Sequence, residues 1–272
     1  MCRHFAYAGQ PASLRSLLID PPHGLYRQAW APRLQQHGTV NADGFGVGWY
    51  AEEDPFPARY RRAVPMWGDP SLVDVARVTR SAAVLAAVRC ATAGTALGEA
   101  ATAPFTSGSW LFSHNGALVG WPESAEPLAS ALQARAESPL EGTTPLQAPA
   151  IKALLSLEAM VDSAFLWALV LGRLRAGDPP DIALAATIGA VEAAGCSGRF
   201  NFLLTDGRSI IATAAGDTLW YRRAPDGVIV ASEPGDEEPG WTEVPDRQVL
   251  TAVPDQVTVR PLNSLTEGIA IR

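Results

Sequence analysis

The opening residues Met1-Cys2-Arg3-His4-Phe5-Ala6-Tyr7-Ala8 decide how the rest of the chain is read. Cysteine stands directly behind the initiator methionine, so removal of Met1 makes Cys2 the N-terminal residue. That one residue then supplies a thiol nucleophile and an α-amine able to take its proton. Thiolate is the attacking form, and an ordinary thiol, titrating near about 8.5, is mostly protonated at neutrality. An α-amino group titrates at about 7.7–8.0, so a useful fraction is neutral at pH 7 and can act as a base. The plain alternative is the second residue of a frayed tail. Residues 3–8 argue against fraying, because they alternate weakly and carry aromatic side chains, as a strand does. Packed into a sheet, such a strand would hold Cys2 rigidly at its end.

The totals bound the possibilities. A chain of 272 residues with 47% apolar content fits one large domain or two small ones, with enough apolar content to bury a core. A net charge of −7 argues against a nucleic-acid surface, and no Lys/Arg run would recruit anionic lipid. The N-terminus lacks a basic segment followed by an apolar one, so it does not resemble a secretory signal. The most apolar stretch, from Ser163 onward, is interrupted at Arg173 and fits a buried helix better than a membrane span. The expected protein is soluble and cytoplasmic. Three cysteines without a CxxC pair suggest neither a disulfide framework nor a zinc knuckle. Cys2 and His4 alone are too few ligands for a metal, so neither metal nor cofactor is expected.

Further along, Asn41-Ala42-Asp43-Gly44 reads as a turn leading into Phe45-Gly46-Val47-Gly48-Trp49. Glycines inside a strand are a liability unless another backbone or a ligand must come close. The spacing is not that of a dinucleotide-binding loop. A helix is expected over about 69–80, and a short buried strand over Ala83–Val88 that delivers Arg89. A guanidinium ending an apolar strand needs an anion, either an internal carboxylate or that of a ligand. Trp110–Ser113 reads as a strand running into His114-Asn115-Gly116. Asn-Gly there is usually a tight turn, but it can also offer an amide and a backbone N–H side by side to an oxyanion. Composition shifts to Ala, Ser, Pro and Glu over about 121–149, as in a surface insertion. Helices are expected from Ser156 to about Ala176 and from Pro180 to Ala194, then a run of hairpins to the C-terminus. The order of elements predicts two sheets with helices packed outside them.

Cys2, NADGFGVGWY (41–50), RCATAG (89–94), SHNGAL (113–118) and VDSAFL (161–166) occur in the order found in class II glutamine amidotransferases. The chain resembles that family of N-terminal-nucleophile hydrolases. The resemblance implies an α+β fold, a four-layer αββα sandwich of two antiparallel sheets between helical layers. A longer likeness, through DPPHGL, AVPMWGD and GDTLWYRRAPDGVIVASEP, covers most of the chain and points to free-standing γ-glutamyl amidohydrolases without a synthase domain. By resemblance, Cys2 is the nucleophile and Asn115 with Gly116 the oxyanion pair. Arg89 and Thr92 are substrate-binding, the arginine through the substrate α-carboxylate, and Asp162 binds its α-ammonium. Many members carry histidine where this chain has Ala93, so any role of that histidine is absent. The expected partner is a small γ-glutamyl molecule. The residues leave open which amine is released, with other γ-glutamyl peptides or glutamine as alternatives, and a non-catalytic binding protein of the same fold as a remote one.

Overall fold

The computed structural model describes residues 2–91, 95–126, 128 and 157–267. Seven strands form the first sheet. In chain order they are β1 (Arg3–Ser13), β2 (Phe45–Trp49), β3 (Ala58–Arg62), β4 (Arg80–Val88), β9 (Trp220–Ala224), β10 (Gly227–Ala231) and β11 (Thr242–Glu243), and across the sheet β11-β9-β10-β1-β4-β2-β3. Six form the second: β5 (Phe105–Ser107), β6 (Trp110–Leu118), β7 (Gly198–Thr205), β8 (Ile210–Ala214), β12 (Gln248–Val253) and β13 (Gln256–Pro261), in the order β13-β12-β8-β7-β6-β5. Neighbouring strands pair antiparallel throughout.

Strand alternation stacks these sheets into layers. On β1, Phe5 and Tyr7 point outward into a cluster with Leu14, Leu18, Leu25 and Leu72. Those leucines come from short helices α1 (Leu14–Leu18), α2 (Leu25–Gln28) and α3 (Leu72–Val78). Ala6 and Ala8 point the other way, meeting Leu111, Leu203, Ala212 and Leu250 of the second sheet. The far face of that sheet carries Phe112, Phe200 and Phe202 against α4 (Asp162–Ala176), α5 (Pro180–Ala193) and α6 (Leu262–Glu267). Three apolar layers therefore separate four structural ones, and the expected αββα sandwich is observed. None of the helices among the described residues is long and apolar enough to cross a membrane.

The glycines of β2 answer the question that their sequence posed. Phe45 and Val47 face the outer cluster, so Gly46 and Gly48 face the second sheet. A Cβ on Gly46 would fall on the carbonyl oxygen of Ala103, and one on Gly48 would lie 2.7 Å from a Leu111 methyl. Another backbone does approach closely. Two local expectations differ from the structure. Asn115-Gly116 is not a turn: β6 continues through it to Leu118, pairing Asn115 with Asn201 and Gly116 with Phe200. The helix expected from Ser156 begins at Asp162, because Glu158 in the preceding loop is drawn into ion pairs with Arg61 (2.7 Å) and Arg59 (3.2 Å) of β3. The short strand β5 and helices α2 and α6 had no readable periodicity. Apart from residues 121–126 and 128, the expected insertion at 121–149 lies outside the described residues.

Candidate active site

Cys2 sits one residue before β1, the middle strand of the first sheet, and at the end of the sandwich where β4 and β6 both terminate. In the β1–β4 register Arg3 lies opposite Val88, which places Cys2 beside the residues that follow β4. The backbone of Cys90 hydrogen-bonds the Cys2 thiol. Burial pushes that thiol above its ordinary range; the α-ammonium of residue 1, the Cys90 hydrogen bond and Arg89 pull it down, and Asp162 adds to the rise. Three pieces far apart in the chain thus act on one sulfur: the start of β1, the end of β4 and the start of α4.

Arg89 is buried and has no carboxylate partner among the described residues. One guanidinium nitrogen, Nη2, donates to Ala96 O at 2.8 Å and to Thr95 Oγ1 at 3.3 Å, whereas Nη1 has no partner. Its backbone is fixed by Arg89 N–H to Gly44 O (2.8 Å) and Asp43 N–H to Arg89 O (2.9 Å), so the turn before β2 aims it. Asp43 also accepts from Ala91 N–H at 2.8 Å. Of the two readings open for this arginine, the internal ion pair is not formed among the described residues. Thr92, also expected to be substrate-binding, lies outside the described residues, as does Ala93.

Asn115 is wholly buried. Its Oδ1 has no partner, and its Nδ2 reaches Ser232 Oγ only at 3.4 Å, beyond the usual range of a good N–H···O bond. Ser232 also accepts from His4 N–H at 3.0 Å, so one hydroxyl joins β1 to β6 at this end of the sandwich. Gly116 has φ 157°, and a Cβ there would fall on the Arg199 carbonyl oxygen of β7. Only glycine fits at that position. Asp162 opens α4, where a carboxylate is favoured by the helix dipole. Its Oδ2 accepts from Leu118 N–H at 2.9 Å and its Oδ1 from Ser163 N–H at 2.7 Å, which ties it to the end of the strand that carries Asn115.

Arg3 and Glu233, near these, were not singled out from the sequence, and His4 was considered there only as one of too few metal ligands. His4 projects between the sheets, 3.4 Å from Ser113 Oγ, and burial, with His114 and Arg3 nearby, holds it well below its ordinary range and therefore uncharged. Arg3 is completely buried with no hydrogen-bond partner on any guanidinium nitrogen, and Glu233 and Asp217 act on it through space. Glu233 is itself buried and accepts from the N–H groups of Arg33 and Leu34. Only the charged Arg3 next to Cys2 was visible beforehand, and nothing local marks a buried arginine. Trp30 packs edge-on against both Tyr26 (5.2 Å) and Trp67 (5.6 Å), with the Arg27 guanidinium 5.2 Å above its ring. Among the described residues no three His, Cys, Asp or Glu side chains cluster as a metal site.

Comparison with known proteins sets these residues in a wider frame. Residues 26–133 match the family model described as class II glutamine amidotransferases. The γ-glutamyl-hercynylcysteine sulfoxide hydrolase of Mycolicibacterium smegmatis is 41% identical over 96% of this chain and 100% of its own. Among solved structures, a glutamine aminotransferase class-II domain protein from Silicibacter pomeroyi superposes with a TM-score of 0.65 at 23% identity, covering 96% of this chain and 99% of that one. Glutamine phosphoribosylpyrophosphate amidotransferase from B. subtilis does so with a TM-score of 0.61 at 16% identity, covering 96% of this chain and 49% of the other. At these lower identities the likeness is one of fold.

Proposed function

Since the chain belongs to the class II glutamine amidotransferases, we propose that it hydrolyses the γ-glutamyl amide of γ-glutamyl-hercynylcysteine sulfoxide, a step of ergothioneine biosynthesis, to glutamate and hercynylcysteine sulfoxide. The observation that supports this reading is that Arg89 and Asp162 both lie near enough to Cys2 to act electrostatically on its thiol. A γ-glutamyl group ends in a carboxylate and an ammonium, and the site offers one cation with a free Nη1 and one carboxylate held by backbone amides. The near-full-length likeness to the mycobacterial hydrolase supports the choice of leaving amine.

In the proposed mechanism Arg89 and Asp162 hold the zwitterionic end and set the amide carbon over Cys2. Bidentate guanidinium–carboxylate pairing gives that hold direction as well as strength. Once Met1 is removed, the Cys2 α-amine takes the thiol proton and the thiolate attacks. The carbonyl oxygen becomes an oxyanion facing Asn115 Nδ2–H and Gly116 N–H. The protonated amine passes its proton to the departing nitrogen, which leaves as a free amine. Water, deprotonated by the same α-amine, then cleaves the γ-glutamyl thioester and returns Cys2 to the thiol. A cytoplasmic setting, where thiols stay reduced, suits such a nucleophile.

The base must be neutral to act, so activity falls as pH drops through the amine's titration. We expect kcat/KM to rise through about pH 7.7–8.0 and level off above it. A profile flat from pH 6 to 9 would remove the α-amine from this role. Substrate identity is tested with γ-glutamyl amides that differ only in the leaving amine: hercynylcysteine sulfoxide, cysteinylglycine and ammonia. The first is expected to have the highest kcat/KM. A preference for cysteinylglycine or ammonia would keep the glutamyl half of the reading and overturn the rest.

A further inference from the structure

Beside Asp162 lies a hydrogen-bonded chain that the mechanism above does not use. His114 is buried on β6, with its ring against Phe200 and Phe202 of β7. Its Nε2 is 2.8 Å from Arg199 O, and its Nδ1 is 3.0 Å from Ser163 Oγ. Ser163 Oγ is in turn 3.3 Å from Asp162 Oδ1. A carbonyl oxygen only accepts, so His114 Nε2 carries hydrogen. In the neutral ring Nδ1 is then a bare acceptor, and the single hydroxyl hydrogen of Ser163 is the donor that satisfies it. That hydrogen cannot also go to Asp162.

Resting on the reading that Asp162 receives the substrate α-ammonium, we propose that His114 is a positioning residue, which draws the Ser163 hydroxyl hydrogen to itself and so reserves the Asp162 carboxylate for the ammonium. With neutral His114 in place, the donors to Asp162 among the described residues are the backbone N–H groups of Ser163 and Leu118, which leaves each carboxylate oxygen a further lone pair. If Nδ1 stops accepting, Ser163 turns to donate to Asp162 Oδ1 and competes with the ammonium. Gly116 belongs to the same device, because any Cβ there would displace the Arg199 carbonyl that fixes the His114 tautomer. The groups facing His114 are few. His4 acts on it through space, Asp162 is reached through Ser163, and Arg199 offers its carbonyl while its guanidinium pairs with Asp217 at 3.1 Å.

The test compares γ-glutamyl-hercynylcysteine sulfoxide with its glutaryl counterpart, which lacks only the α-ammonium. The readout is the ratio of the two kcat/KM values. His114→Gln can still donate to Arg199 O but offers Ser163 no acceptor in the Nδ1 position, so the ratio is expected to fall about tenfold. Adding Ser163→Ala removes the competing hydroxyl and is expected to restore the ratio, whereas Ser163→Ala alone leaves it near the wild-type value. A purely structural role for His114 predicts the reverse, with the double variant worse than either single one and both substrates slowed alike; that pattern overturns the proposal. Should His114→Gln fail to fold, nitrogen-15 NMR of the His114 ring in the wild-type protein tests the same premise: a protonated Nε2 and a bare Nδ1 are expected, and a protonated Nδ1 defeats the proposal. Asp162→Asn separates the two levels of inference. If it leaves the wild-type ratio intact, the assignment of Asp162 fails, independently of His114.

Discussion

Cys2→Ala is expected to lower kcat/KM by about ten-thousand-fold or more, in line with the loss of a covalent nucleophile in other hydrolases. The same loss is expected for a protein whose Cys2 is preceded by an uncleaved N-terminal extension, although its thiol is untouched. Both expectations follow from the state of the sulfur. Burial raises the thiol, and the opposing contributions of the Cys90 hydrogen bond and Arg89 do not cancel that rise. A thiol so placed carries little thiolate at neutral pH and depends on a base. In the Met1–Cys2 peptide that nitrogen is an amide and cannot accept a proton. A fusion whose cleavage exposes Cys2 separates the two requirements: glutamate release is expected to be absent before cleavage and full after it. Thermal midpoints close to wild type would show that the variants are folded. Glutamate release at the wild-type rate by Cys2→Ala, or by the uncleaved fusion, would sink the proposed mechanism.

The fold was legible where periodicity is strong and the site where an unusual residue interrupts it. Weak alternation marked β1, an unbroken apolar run marked β4, turn signals marked the C-terminal hairpins, and Pro180 marked the start of α5. Arg89 stood out because a guanidinium closing an apolar strand needs an anion. Asn115-Gly116 misled in its local geometry, since turn chemistry cannot show that β7 runs alongside and that the Arg199 carbonyl leaves room only for glycine. Arg3, His4, Ser163 and Ser232 were not legible as a group. Each has its significance from partners 49 to 228 positions away or from complete burial, neither of which has a local signature. His114 illustrates the limit well. It was part of a recognisable hexapeptide, yet its two ring nitrogens are assigned by a serine on α4 and a carbonyl on β7.

Asn115→Ala is expected to lower kcat by about 10²–10³-fold, or about 2.7–4 kcal/mol of transition-state stabilisation, with KM changed only a few-fold. The split matters, because an oxyanion donor interacts with charge that develops only after attack. Asn115 is suited to that task by what it does not do. Its Nδ2 contact with Ser232 is long and its Oδ1 is unpartnered, so no strong internal bond must break when the oxyanion forms. A donor held in a buried, preorganised place does not need to reorient at the moment of reaction, which is where most of its advantage over water arises. Asn115→Asp keeps the shape but places a carboxylate where negative charge accumulates, so it is expected to be slower than the alanine variant. If alanine instead raised KM with kcat preserved, Asn115 would be a binding residue and the oxyanion assignment would fail. The partner at Gly116 cannot be dissected in the same way. No side-chain replacement deletes its N–H, and any added Cβ strikes the Arg199 carbonyl, disturbing His114 and, through Ser163, Asp162. An effect of Gly116→Ala would therefore combine oxyanion, tautomer and ammonium contributions, so Asn115 is the position at which oxyanion stabilisation can be measured alone.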